Sequence, residues 1–227
     1  MSTAELKEAR REARVEASLF VLAATCLLVL LAATSLAQGW ELLGLRGWIW
    51  LVVCIPNALL IGALFATARA DHERGHRVLQ GFLSVVVLGN LIGLMLLIGA
   101  LLTEKSSNLS GGQLLTSGSV VWLTNVIVFG LWFWTLDCGG PVQRALKGRR
   151  TPDFQFPQDE NRELARKGWY PRLEDYVYVA LTNGIAFSPT DAMPLTRWAK
   201  TLMAADAMIS VGAVLLVAAR AVNVLGA

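Results

Sequence analysis

Five long apolar stretches, 17–37, 48–66, 78–102, 114–136 and 201–219, constrain this chain more than any other feature, and none contains a lysine or arginine. Each approaches the ~20 predominantly apolar residues that carry an α-helix across a bilayer. Backbone N–H and C=O groups meet no water there, so a crossing segment must satisfy them internally, as a helix. One soluble core has no use for five such runs. A hydrophobic fraction of 55% against 16% charged agrees with that reading. The expected fold class is all-α, a polytopic membrane protein.

Basic residues set the expected orientation. The N-terminal tail carries four, Lys7, Arg10, Arg11 and Arg14, and 38–47 carries one, Arg46. Three follow in 67–77, one in 103–113, and eight in 137–175. High, low, high, low, high is the pattern of cytoplasmic loops alternating with outer ones. The N-terminus and the long fourth loop are therefore expected inside, in the inner (plasma) membrane. The tail also holds Glu5, Glu8, Glu12 and Glu16, and its apolar run exceeds that of a cleaved leader. It reads as a charged helical lead-in to an uncleaved span. The formal net charge of +3 gives no reason to expect a nucleic acid partner. Trp40, Trp48, Trp50, Trp132, Trp134 and Trp198 fall at span ends, where indole anchors at the headgroups.

The organisation follows. Residues 1–136 form a cytoplasmic lead-in and a four-helix bundle. Residues 137–174 form a charged cytoplasmic linker, proline-bearing and too short for a core of its own. Residues 175–227 hold one odd stretch and the last span. The odd stretch, 176–195, lacks basic residues but contains Asn183, Gly184, Pro189, Asp191 and Pro194. Its first twelve residues make about three helical turns, roughly 18 Å, a little over half of the hydrocarbon. Pro189 then removes an amide donor and disfavours helix at Ser188. Irregular backbone at that depth must be buried in protein or line a wet cavity. The expectation is a re-entrant half-helix. A sixth span and a surface-lying helix are the alternatives.

Asp175-Tyr176, Thr182, Asp191-x-x-Pro194 and Ala199-Lys200, followed by a long helix with Gly212, resemble the pore helix, filter and inner helix of simple potassium channels. That resemblance implies a pore loop in a homo-oligomer, with Asn183, Ser188, Thr190, Asp191 and Asp206 lining a polar vestibule for ions. The filter position reads Ala186-Phe187-Ser188-Pro189-Thr190, without the glycines that turn carbonyls to a pore axis. Potassium selectivity is not expected. Those channels also insert the loop from outside, whereas the charge pattern puts this one inside. The C-terminal half, with LWFWTLDCGGP, PDFQFPQ and AFSPTDAMPL in order, is similar to an uncharacterised bacterial family of integral membrane proteins.

Asp206 sits about two turns into the last span, where a charge is costly and marks a functional candidate or a packing bond. Ser210 shares its face, with Gly212 and Ala213 keeping that side small. Asn57, Asn90 and Asn125 lie within spans and read as interhelical glue. His72-Glu73-Arg74-Gly75-His76 spells the zincin H-E-x-x-H pattern. Gly75 weakens a helix there by roughly 1 kcal/mol, and Arg74 brings a cation beside any metal. A basic cytoplasmic turn is the simpler reading, so no enzyme, metal or cofactor is expected. Cys26, Cys54 and Cys138 form no framework and read as small apolar filler. Five spans and one re-entrant half-helix, channel-like and in contact with lipid, form the leading reading. A non-conducting scaffold working through the cytoplasmic loop is the alternative.

Overall fold

The computed structural model describes residues 3–42, 45–46, 51–52, 54–56, 58–59, 62, 72–102, 110–140, 144, 151–161, 163, 165–166, 169–186 and 191–225. It is mostly helical. Helix α1 (Thr3–Ala37) is followed by a two-residue ribbon, β1 (Glu41–Leu42) against β2 (Leu45–Arg46). The described residues between 51 and 62 are helical. Then come α2 (His72–Leu102), α3 (Gly111–Leu136) and a 3-10 turn at Asp137–Gly139. Strand β3 (Phe154–Gln155), the short α4 (Pro157–Glu160), α5 (Leu173–Ala186), β4 (Met193–Pro194) and α6 (Arg197–Leu225) complete the order.

Among the described residues, three helices are long and apolar enough to cross a membrane, over Val15–Ala37, Leu115–Gly139 and Arg197–Leu215. Gly81–Leu96 in α2 is a shorter apolar helical stretch, and most of the expected span 48–66 lies outside the described residues. In α1, Ala17, Val21, Ala24, Leu28, Leu31 and Ser35 form a buried stripe at helical spacing. Its opposite face, with Leu19, Leu22, Val29 and Leu30, is equally apolar yet exposed. A helix apolar all round suits hydrocarbon, not water. Hydroxyls within these helices return to the preceding turn: Thr25 donates to the Val21 carbonyl at 2.8 Å and Thr124 to that of Val120 at 2.8 Å. That meets the demand that polar groups in lipid be satisfied locally. The His72–His76 segment, expected as a turn, is the first helical turn of α2.

Helix α3 is central and touches α1, α2, α5 and α6. Its start is fixed by a capping box: the Gln113 amide donates to Ser110 Oγ at 3.2 Å, and the Ser110 amide donates to Gln113 Oε1 at 3.0 Å. Its end is abrupt. Cys138, Gly139 and Gly140 take φ of 54°, 77° and 99°, a left-handed run that turns the chain out of the helix. Gly130 lets α5 approach closely, since a Cβ there would sit 2.7 Å from the Val177 Cα.

The linker is docked against the bundle. Phe154 and Phe156, both 1% exposed, pack edge-on against Tyr176 with ring centroids 6.0 and 5.3 Å away. Phe133 on α3 and Trp169 extend the cluster. Trp134, expected as a headgroup anchor, is buried within it, whereas Trp198 is exposed. Strand β3 pairs antiparallel with β4, Phe154 opposite Pro194 and Gln155 opposite Met193.

Candidate functional site

Two buried polar clusters lie on the seam between α3, α5 and α6. The first is at the C-terminal end of α3. Asp137, 1% exposed, accepts from the backbone amides of Asp153 at 2.7 Å and Phe154 at 3.2 Å on one oxygen. Its other oxygen accepts from the Tyr176 hydroxyl at 2.5 Å and lies 3.7 Å from Arg144 Nη1. The same Nη1 donates to the Trp134 and Asp137 carbonyls at 2.8 Å, closing the end of α3. The guanidinium also sits 5.0 Å from the centre of the Tyr176 ring. A cavity of about 80 Å³ adjoins this cluster, lined by Asp137, Arg144, Phe154, Trp169 and Tyr170 among others.

Asp153 extends the first cluster to the start of α6. Its carboxylate accepts from the Cys138 amide at 3.2 Å and the Thr196 hydroxyl at 2.7 Å, and its carbonyl accepts from the Leu195 amide at 2.8 Å. Burial pushes the Asp153 carboxyl above its ordinary 3.8, against the lowering effect of the Thr196 bond. Asp175, in the first turn of α5, is raised likewise by burial, opposed by its bond from the Arg172 amide and aided by the nearby charges of Glu174 and Asp191. Asp191 therefore lies near the first turn of α5.

The second cluster surrounds Asp206, which is fully buried. One carboxylate oxygen accepts from Asn125 Nδ2 at 3.0 Å, the other from Asn183 Nδ2 at 2.8 Å. Asn183 Nδ2 also donates to the Met203 carbonyl at 2.9 Å. Beyond them, a Cβ on Gly184 would lie 2.8 Å from Ser210 Oγ and 3.5 Å from Trp122 Nε1. Among the described residues, Asn125 Oδ1, Ser210 Oγ and Trp122 Nε1 have no hydrogen-bond partner, nor do the two amide atoms of Asn90.

Contacts along the seam fix helix directions. Descending along α3, Asp137 meets Tyr176, Gly130 meets Val177, and Asn125 and Trp122 meet the second cluster. Ascending along α6, Thr196 meets Asp153 in the first cluster, Met203 and Asp206 meet Asn183, and Ser210 meets Gly184. So α5 and α6 run parallel to each other and antiparallel to α3. Helical rise puts Asp206 about 14 Å from the start of α6, and Asn125 about 17 Å from the end of α3. Both distances are near half of a ~30 Å hydrocarbon layer.

Of the expected vestibule residues, Asn183 and Asp206 come together as hydrogen-bond partners buried between helices. Asp191 is half-buried near the other end of the seam, and Ser188 and Thr190 lie outside the described residues. Asn125, read as glue from its sequence, is the second amide on Asp206. Asp137, Arg144 and Trp122 carry no mark in the sequence reading, and Gly184 figures there only as part of the odd stretch 176–195. Only an aspartate closing the apolar run at 137, followed by two glycines, hinted at the first cluster.

No family model, curated protein or solved structure matches this chain.

Proposed function

We propose that this is a channel-like membrane protein of the pore-loop kind, without potassium selectivity. It has five spans, with α5 as a re-entrant half-helix and the N-terminus on the cytoplasmic side of a bacterial inner membrane. Copies assemble around the α5–α6 unit, and small cations, protons included, pass by way of the polar site at Asp206.

One observation carries this reading: α5 and α6 start from the same end of the bundle. The β3–β4 pair and the Asp153–Thr196 bond hold the start of α6 beside the start of α5. Fourteen residues of α5 rise about 21 Å. The seven residue steps from Ala186 to Met193 can reach about 24 Å, enough to bring the chain back. A sixth crossing would instead leave α6 starting at the far end. The same end holds Glu16, where the apolar stretch Val15–Ala37 of α1 begins, with Arg172 Nη1 3.8 Å from its carboxylate. That fits a tail and linker sharing the basic, cytoplasmic side.

The second reading, a non-conducting scaffold acting through the linker, is favoured by the pairing of both Asp206 oxygens. Reporters and flux separate the two. A reporter fused before Asp175 and one fused after Leu195 should appear on the same face of the membrane. Purified protein in vesicles should pass small cations, and Asp206→Asn should reduce that flux. Silent vesicles at verified incorporation would leave the scaffold. Opposite faces for the reporters would remove the pore loop itself.

A further inference from the structure

We infer that the species taken up beside Asp206 is a proton carried on water, seated between Trp122, Asn125 and Ser210 over Gly184. This deepens the channel-like reading and rests on it.

The seat is built from atoms that lack partners. Asn125 and Ser210 are fully buried, yet Asn125 Oδ1 and Ser210 Oγ bond to nothing among the described residues, as does Trp122 Nε1. Leaving buried polar groups unpaired in an apolar surrounding is costly. Ser210 Oγ and Trp122 Nε1 lie on the same side of Gly184, 2.8 and 3.5 Å from where a Cβ would be, so the two unpaired atoms are neighbours. A water held between them, beside the glycine, can touch both.

Their chemistry selects the guest. Trp122 Nε1 only donates, Asn125 Oδ1 only accepts, and the Ser210 hydroxyl does either. A water accepts from the indole and donates to the other two. A bare metal cation is served poorly, because it needs a shell of oxygens and meets an N–H instead. Both Asp206 oxygens already accept from amides. A proton arriving on the seated water forms an O–H bond at Asp206 and leaves neutral water behind; release to water reverses the step.

No other ionisable group faces Asp206 among the described side chains. Just past the end of α3 the ionisable group is Asp137, on α5 they are Glu174, Asp175, Tyr176 and Tyr178, and on α6 Arg197 and Lys200. All belong to the end of the seam that Asp137 closes. Arg220 follows about 21 Å further along α6. On α2, His72, Glu73, Arg74, His76 and Arg77 occupy the first two turns. Trp122 and Ser210 lie about one helical turn beyond Asn125 and Asp206 in the direction away from Asp137, so the seat adjoins the carboxylate on the side of the opposite membrane face.

Vesicles holding the full chain and a pH-sensitive dye test this, with N-methylglucamine as the sole added cation. An imposed voltage should drive proton entry there as fast as in sodium or potassium. Asp206→Asn should abolish it. Ser210→Ala and Trp122→Phe should each slow it roughly tenfold, about 1.4 kcal/mol on the barrier, with the folded state checked by circular dichroism. Gly184→Ala, whose methyl would push Ser210 Oγ out of the seat, should act as strongly. Flux that requires sodium or potassium, or that ignores Ser210→Ala and Trp122→Phe, overturns the proton seat and leaves the channel-like reading standing. Vesicles that pass neither protons nor metal cations overturn both.

Discussion

At the scale of single residues, the Asp137 cluster bears most of the structural demand. Its carboxylate is satisfied by two backbone amides, a phenol and a guanidinium, and so holds the linker, α5 and α3 together at one point. Tyr176→Phe removes one donor and leaves a buried oxygen with Arg144 alone at 3.7 Å. The expected loss is about 1–3 kcal/mol, read as a lower midpoint in thermal unfolding in detergent; an unchanged midpoint would remove the cluster's structural role. Asp153 adds a pH dependence. Its folded carboxyl holds a proton more tightly than the unfolded one at 3.8. Folding therefore takes up protons between those two values, and this contribution is full below 3.8 and lost as pH rises through the folded value. Acidifying from neutral toward 4 should raise the midpoint through this group. In Asp153→Asn that slope should flatten, leaving only what Asp175, shifted the same way, supplies. A steeper slope in the variant would contradict the sign. Little beyond the aspartate and glycines at the end of α3 is legible in the sequence, because Asp137 and Asp153 stand sixteen residues apart and the left-handed run at 138–140 shows only in the folded chain.

At the scale of elements, the sequence was most informative where one physical rule acted alone. Apolar length marked α1, α3 and α6, since the hydrocarbon imposes a minimum span. Pro189 and the polar residues around it point to an end of α5, which is described as far as Ala186; residues 187–190 lie outside the described residues. The docking of the linker is not legible, for the opposite reason. Its aromatic residues have no period, because each fills a different gap around Tyr176 instead of facing one side of a regular element. The start of α2 was read as a turn from Gly75, yet one glycine costs only about 1 kcal/mol and a long helix absorbs it. The same logic yields a test of how α3 and α5 meet. A Cβ on Gly130 would lie 2.6 Å from Val177 Cγ2 and 2.7 Å from its Cα, and backbone cannot swing aside like a side-chain tip. Gly130→Ala should destabilise by at least about 1–3 kcal/mol and weaken the α3–α5 contact first. Faster proteolysis of the linker, at a rate insensitive to Gly112→Ala in the roomier first turn, is the expected signature. Equal effects of the two substitutions would mean that the close approach is not what fixes α5.

At the scale of the whole molecule, the decisive contrast is between a polar seam and an apolar exterior. Asp137, Asn183, Asp206 and Ser210 are buried, whereas Leu30, Val85, Met208 and Leu215 are between 52% and 76% exposed. A water-soluble chain would be expected to arrange these the other way, and an exposed apolar surface of this extent needs a covering. Lipid is the covering that fits helices of this length. It also explains why paired amides, not salt bridges, hold Asp206: an isolated charge in hydrocarbon is expensive, and amide donors serve a carboxyl in either protonation state. Spin labels at Leu30, Val85 and Leu215 test that arrangement directly in reconstituted vesicles. Each should collide readily with dissolved oxygen, which concentrates in hydrocarbon, and rarely with a water-soluble nickel chelate. A label at Arg166, exposed on the linker, should show the reverse. If the three helix labels meet the chelate as often as the linker label does, water and not lipid covers the apolar faces. The mid-depth position of Asp206, and with it the reason to assign the polar seam a role in transport, then falls.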